Sequence, residues 1–237
     1  MLHIQHVSKT FGKLEVLKNI EIGFERGQAV AIIGPNGSGK TTLIKSILGM
    51  VVPESGSISF QGQTIGQDAR YRRHIGYMPQ IGRYPDNMQI GQLFDMMRDL
   101  RNDTDTTLDE ELIHAYRLPD IYQKSMRTLS GGTRQKVSAA LAFLFSPPVM
   151  ILDEPTAGLD PLSAEILKEK VQREKQHNKL FLVTSHIMSD LEELATDVLY
   201  LVEGRVVFFK SLHTLKTETG EERLGRAIAQ IMQTHAS

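Results

Sequence analysis

The chain has 237 residues, 41% of them hydrophobic, a net charge of −1 and no cysteine. That length and apolar content suffice for a buried core of its own. The near-zero charge gives no electrostatic footprint for nucleic acid, and the absence of thiols excludes disulfides, thiolate metal sites and a cysteine nucleophile.

Residues 2–7 read as a first strand and lack the apolar run of a secretory leader, so none is expected. Alternation of Ile20, Ile22 and Phe24 predicts a second strand, the apolar run 29–33 a buried third, and residues 57–61 a fourth after the turn Pro53-Glu54-Ser55-Gly56. Between 80 and 130 the period turns helical, with helices over 91–100 and 108–118 separated by the polar Arg101-Asn102-Asp103-Thr104-Asp105. A helix is expected from Ser130 to about 145 and a strand over 149–152. The uncharged run 137–152 is too short to cross a bilayer and is cut by Pro147-Pro148. If this chain serves a membrane, another chain must cross it.

Asp160 followed by Pro161 marks the N-cap of a helix reaching about 175, residues 180–184 form a strand, and Ser189 with Glu192 makes a capping box for a short helix. Strands alternating with crossover helices predict a mainly parallel sheet. In the tail, residues 221–232 form a helix with Leu224, Ile228, Ile231 and Met232 on one face, which packs on its own subunit or on a partner.

Gly34-Pro35-Asn36-Gly37-Ser38-Gly39-Lys40-Thr41 fits G-x-x-x-x-G-K-[ST] between the third strand and the helical Thr42-Leu43-Ile44-Lys45-Ser46-Ile47-Leu48. The strand before and helix after distinguish a phosphate-binding P-loop from an ordinary glycine-rich turn. Its glycines let backbone N–H groups face phosphate, Lys40 adds a point charge, and the Thr41 hydroxyl is left for Mg²⁺. Leu129-Ser130-Gly131-Gly132-Thr133 is a second, shorter anion site, a hydroxyl and two bare amides opening a helix.

Together these stretches resemble the nucleotide-binding subunit of an ATP-binding-cassette (ABC) transporter over residues 11–204. The resemblance assigns Gly34 to Thr41 to the Walker A loop, Gln80 in Met78-Pro79-Gln80 to the Q-loop and Leu129 to Thr133 to the signature. Val149-Met150-Ile151-Leu152-Asp153-Glu154 becomes Walker B, Ala157-Gly158-Leu159-Asp160 the D-loop and His186 the switch histidine. Thr133 departs from the glutamine usual at the signature's fifth position, and Phe11 stands where a tyrosine often stacks on the base.

What the resemblance implies is an α/β fold with a P-loop NTPase (RecA-like) core, a β-rich flank and an inserted α-helical subdomain, the ABC ATPase architecture. It divides a single domain, 1–237, into core 1–80 and 134–207, helical subdomain 81–133 and tail 208–237. ATP and Mg²⁺ are the implied ligands, with Phe11, Gly34, Pro35, Asn36, Gly37, Ser38, Gly39, Lys40, Thr41 and Thr42 on one face of ATP. Ser130, Gly131, Gly132 and Asp160 belong to the other. Mg²⁺ falls to Thr41, Gln80 and Asp153, and catalysis to Glu154 as general base, His186 and Lys40. Because the signature meets the γ-phosphate held by another copy's P-loop, the active form is a homodimer with two shared sites. The partner is an integral membrane permease, and the location is cytoplasmic, peripheral on the inner face of the membrane.

Two other classes stay in view. A soluble ABC protein outside transport needs long heptad arms that the interval 80–130 lacks, and a P-loop kinase of small molecules gives no reason for Leu129 to Thr133. Within transport, the Gly158-Leu159-Asp160-Pro161 form resembles ABC-2-type systems. The stretch Ile75-Gly76-Tyr77-Met78-Pro79-Gln80-Ile81-Gly82-Arg83-Tyr84-Pro85, with Met126-Arg127-Thr128, resembles the ATPase of the Nos system, which helps mature the copper sites of nitrous-oxide reductase. That resemblance adds a periplasmic accessory protein; the alternative is a drug or polysaccharide exporter. Tyr84, Met88, Leu93, Phe94, Met96 and Met97 are more apolar side chains than two short helices hide, which predicts an exposed groove for the permease.

Overall fold

The computed structural model describes residues 1–66, 69–101 and 107–235. The chain forms two compact units, Met1–Arg72 with Leu180–Ser237, and Arg73–Lys179. The predicted separator of the lobe's helices lies, beyond Arg101, outside the described residues.

The first unit opens with β1 (Leu2–Phe11) and β2 (Leu14–Phe24), paired antiparallel. Both run longer than the sequence predicts, because register shifts near Val7 and Lys9, and left-handed His6 and Asn19, break the alternation that marks a strand. Then come β3 (Ala29–Ile33), α1 (Lys40–Ile47), β4 (Ser55–Phe60) and the two-residue β5 (Gln63–Thr64). The order β2-β1-β4-β5 makes an antiparallel flank.

Every residue of β3 is buried, as expected of a central strand covered on both faces. It pairs in parallel with β8 (Leu180–Thr184) and β9 (Asp197–Val202). β9 turns back into β10 (Arg205–Ser211) through Glu203 and Gly204, both at positive φ, a tight hairpin absent from the sequence reading.

The second unit holds β6 (Ile75–Met78), α2 (Ile90–Arg101), α3 (Glu111–Ala115), α4 (Gly131–Phe143), β7 (Val149–Asp153) and α5 (Pro161–Lys175). β6 and β7 pair in parallel, Met78 opposite Leu152. Leu93 and Phe94 are buried while Met88, Met96 and Met97 are half-buried, so part of the predicted groove side chains are lobe core. Three short 3₁₀ turns fall between α3 and α4, or just before β6.

Back in the first unit, α6 (Met188–Leu194) starts at Ile187 without a side-chain cap. The expected Ser189–Glu192 capping box is not formed. Glu192 instead accepts from Lys216 of α7 (Leu212–Thr219) and, at 3.3 Å, from the Leu224 amide that opens α8 (Leu224–His235). Partners 24 and 32 residues away outcompete a local one. The α8 face is Leu224, Ala227 and Ile228, all buried in the first unit, whereas Met232 is exposed.

A buried charge cluster holds α5 in the second unit. Lys170 of α5 lies 2.6 Å from Asp109 and 2.9 Å from both Glu111 and Glu174, and Lys179 pairs with Glu174. Burial pushes the Lys170 ammonium towards neutrality, but the Asp109, Glu174 and Glu111 carboxylates override it and hold its pKa above the ordinary lysine value. Burial likewise raises Glu174, and Lys179 and Lys170 outweigh it, leaving a net lowering. Glu174's contribution is therefore present above its unfolded pKa, near 4.5, and is lost as pH falls through the lowered folded value. Lys170→Met is expected to cost about 2–4 kcal/mol in a urea titration, since it takes the ion-pair partner from the part-buried Asp109 and leaves Glu174 with Lys179 alone; a loss below about 1 kcal/mol contradicts this account of the cluster.

Candidate functional site

In the first unit the P-loop runs from buried β3 to α1, and its glycines explain its shape. Gly39, at φ 105° and just before α1, brings its Cα so near Val16 that a Cβ would sit 2.8 Å from that residue's carbonyl oxygen. Gly34 is as tightly placed, with a Cβ position 2.0 Å from the Leu201 carbonyl oxygen. Gly37, at φ 79°, faces open space. Ser38 is clasped from behind, its carbonyl accepting from the Gly204 amide at 3.0 Å. Strands β2 and β9 and the turn after β9 thus fix the loop.

Side chains and charge agree with an anion ligand. Lys40 folds back on the loop, its Nζ donating to the carbonyls of Gly34 (2.7 Å) and Pro35 (3.0 Å). Ser38 Oγ is buried without a hydrogen-bond partner among the described residues. No acidic residue occupies the first turn of α1 and no side chain caps it, so no carboxylate offsets the positive end of its dipole. Thr41 is exposed at that helix start and Thr42 follows half-buried. Phe11 ends β1, 49% exposed, with Lys9 Nζ 5.3 Å from its ring centre. It pairs with Leu14, two residues before the Val16 that touches Gly39. His186 is exposed in the turn after β8, where Ser185 Oγ accepts from the Ile187 amide.

The second unit carries the other site residues. Ser130 caps α4, its Oγ accepting from the Thr133 amide at 3.2 Å with the Thr133 hydroxyl 2.9 Å away. A Cβ on Gly131 would meet nothing within 4 Å, whereas one on Gly132 would lie 2.6 Å from the carbonyl oxygen of Gly158. Signature and D-loop are therefore packed backbone to backbone. They are also pinned by charge: Asp160 caps α5 at Ser163 and pairs with Lys136 of α4 at 2.8 Å. Lys136, then the Ser163 amide and hydroxyl, hold the Asp160 carboxyl well below the usual range.

Asp153 ends β7 half-buried, and Glu154 follows it buried. Strand alternation predicts that the pair points to opposite sides, but the strand stops at Asp153 and Glu154 takes a left-handed φ of 52°. That conformation is costly for a residue with a Cβ and typical of functional sites. Its carbonyl accepts from the Ala157 amide at 3.1 Å and from the buried Gln135 side chain of α4 at 3.4 Å. Tyr77 on β6 is pushed up to about 12 by burial, with the Asp153 charge adding, and so stays neutral. Gln80 is exposed just past β6.

Gln135 and Lys136 belong to the basic Arg134-Gln135-Lys136 that supports the signature reading from sequence, but their bonds to Glu154 and Asp160 were not foreseen. They follow the signature after Arg134, and read alone they are only a polar helix face.

The first unit offers the exposed Thr41 hydroxyl as an oxygen donor, and the second offers the half-buried Asp153 carboxylate and the exposed Gln80 amide. Among the described residues no group of three His, Cys, Asp or Glu side chains is placed to hold a metal. Oxygen donors of these kinds suit Mg²⁺, which is commonly held by one or two carboxylates with phosphates and water rather than by an all-protein cage.

A buried parallel strand feeding a glycine loop and an uncompensated helix start defines a P-loop NTPase. The family profile described as ABC transporter matches residues 17–157, and the chain belongs to that family as an ATPase. It is 31% identical over 210 residues to the lantibiotic transport ATP-binding protein SrtF of Streptococcus pyogenes, covering 89% of this chain and 90% of that protein. It is 30% identical over 221 residues to the Nod factor export ATP-binding protein I of Ralstonia nicotianae, covering 92% and 69%. Among solved structures, an ATP-binding subunit of an ABC transporter superposes with a TM-score of 0.90 at 27% identity, over 98% of this chain and 99% of that one. A dimeric cassette bound to ADP and Pi superposes at 0.77 with 23% identity, a likeness of fold.

Gly132→Ala is expected to force signature and D-loop apart, lowering ATP turnover at least tenfold while ATP binding by the P-loop persists. Turnover and equilibrium ATP binding measured on one preparation check this; unchanged turnover contradicts the packing argument.

Proposed function

We propose that this chain is the ATP-hydrolysing subunit of an ABC-2-type export system, working as a head-to-tail homodimer on a separate membrane permease at the cytoplasmic face. The supporting observation is the pair of glycine-rich helix starts, α1 without a side-chain cap and α4 behind Ser130, neither with an acidic residue in its first turn, in a chain that also carries Asp153-Glu154. The relatives named for lantibiotic transport and Nod factor export support the export class. Among the described residues no helix is long and apolar enough to cross a membrane, which leaves that task to the permease.

In this reading Lys40 exchanges its bonds to the Gly34 and Pro35 carbonyls for β- and γ-phosphate oxygens, and Phe11 stacks on the base. Thr41, Asp153 and Gln80 would hold Mg²⁺, which would supply positive charge to offset that of the phosphate oxygens. Glu154 takes a proton from water as that oxygen attacks the γ-phosphorus and the bond to ADP breaks. His186 hydrogen-bonds the γ-phosphate and reports its loss. Ser130, Gly131 and Gly132 of the second copy close on the same phosphate. Asp160 serves them by holding the D-loop against Lys136. Ile81, 69% exposed beside Gln80, marks the lobe surface for the permease.

A narrower reading, the Nos ATPase, is favoured by the stretch Ile75 to Pro85 and by Met126-Arg127-Thr128. It makes copper-site maturation the task and adds a periplasmic accessory protein. Neighbouring reading frames separate the two: a six-span permease with a periplasmic repeat protein supports Nos, and a drug-efflux permease alone supports general export. The methionines do not carry the narrower reading, since Met78 is buried core and Met88, Met96 and Met97 are half-buried packing residues.

Glu154→Gln is expected to lower turnover about 10²–10⁴-fold, because the water loses its base while the phosphate cradle is untouched. With Mg-free ATP the variant should elute as a dimer in size-exclusion chromatography. A variant that binds ATP and stays monomeric counts against the dimer.

A further inference from the structure

The segment after Gln80 is fastened to the signature on both sides of Ser130. Upstream of the signature, the Arg127 amide donates to the Asp86 carbonyl at 3.0 Å and the Met126 amide to the Met88 carbonyl at 2.9 Å. Downstream, the Tyr84 hydroxyl lies 2.7 Å from Ser138 Oγ, two turns along α4. Ser130, Arg134 and Ser138 are spaced i, i+4, i+8 and so share one helix face. Arg134 reaches back from that face to the Met126 carbonyl at 3.2 Å.

The fit at the downstream bond is close. Ser138 is 1% exposed, and Gly82 approaches so nearly that a Cβ there would sit 2.4 Å from Ser138 Oγ and 2.6 Å from the Tyr84 ring. Any larger residue at 82 would lift Tyr84 off the helix. With Ser138 buried and Tyr84 half-buried, this hydroxyl pair is confined to one geometry by its neighbours.

We propose that Tyr84 is a positioning residue whose bond to Ser138, with the backbone bonds at Asp86 and Met88, makes Gln80 and Ser130 move as one body. A shift of Gln80 when nucleotide changes then reaches Ser130 without help from any other chain. This rests on the ATPase reading above and adds a mechanical link within it.

The test uses the full chain as Tyr84→Phe, Ser138→Ala and the double variant, with kcat, KM for ATP and Tm measured for each. Each single variant is expected to lose about three- to tenfold in kcat at nearly constant KM, and about 2–4 °C in Tm, because one buried hydroxyl is left unpaired. The double variant removes both hydroxyls, so Tm recovers while kcat stays low. Unchanged kcat in the single variants, or kcat that returns together with Tm, overturns the proposal. If Tm does not return, amide exchange in Tyr84→Phe decides: residues 81–88 and 129–134 loosening together supports the link, and loosening of 81–88 alone overturns it. Absence of Glu154-dependent hydrolysis in the unmodified chain would instead refute the function on which the link rests.

Discussion

Two glycine-rich helix starts whose first turns hold no acidic side chain are the constraint on which this molecule depends. An α-helix begins with N–H groups that have no partner within it, and most proteins satisfy them with a capping side chain or a nearby carboxylate. Here α1 begins at a glycine without a side-chain cap, α4 begins with two glycines behind Ser130, and neither first turn holds an acid. A phosphate is the natural complement. Much of the remaining structure serves to keep those amides pointed outward, from the Gly204 amide on the Ser38 carbonyl to the close seating of Gly39 on Val16.

In the second unit α4 is the common carrier. Its Gly132 lies against the D-loop backbone, its Lys136 holds Asp160, its Gln135 supports the carbonyl of Glu154, and its Ser138 receives Tyr84. The left-handed Glu154 is tolerable in this setting because its carbonyl has two partners and its side chain is buried. The helix therefore links anion contact, the proposed base and the Q-loop through direct contacts. Its own amphipathicity plays little part, since nearly every turn is covered by a different element.

The parts of the site that obey local rules were readable from the chain. Gly34 to Thr41 declares itself through glycine and lysine spacing, and the Ser130 and Asp160 caps need only the amide three residues ahead. Parallel pairing around Ala29–Ile33 was legible from a wholly apolar run. What escaped depends on distant partners. Ser189 and Glu192 have the spacing of a capping box, but Glu192 is claimed by α7 and by the head of α8. The left-handed turn at Glu154, the burial of Lys170 and the contact of Tyr84 with Ser138 depend on segments far off in sequence, which no periodicity reports. The β9–β10 hairpin was a missed local signal, a glycine turn between two β-branched and aromatic runs.

The central claim is that the two amide-rich turns belong to one site built by two copies of the chain. It is tested most directly by mixing two inactive variants, Lys40→Ala, which spoils the P-loop, and Ser130→Arg, which spoils the signature. A mixed dimer joins one intact P-loop to one intact signature, so equal mixing should restore up to about a quarter of the unmodified ATPase activity if pairing is random. No recovery at any ratio, with both variants folded and subunit exchange demonstrated, would contradict the account.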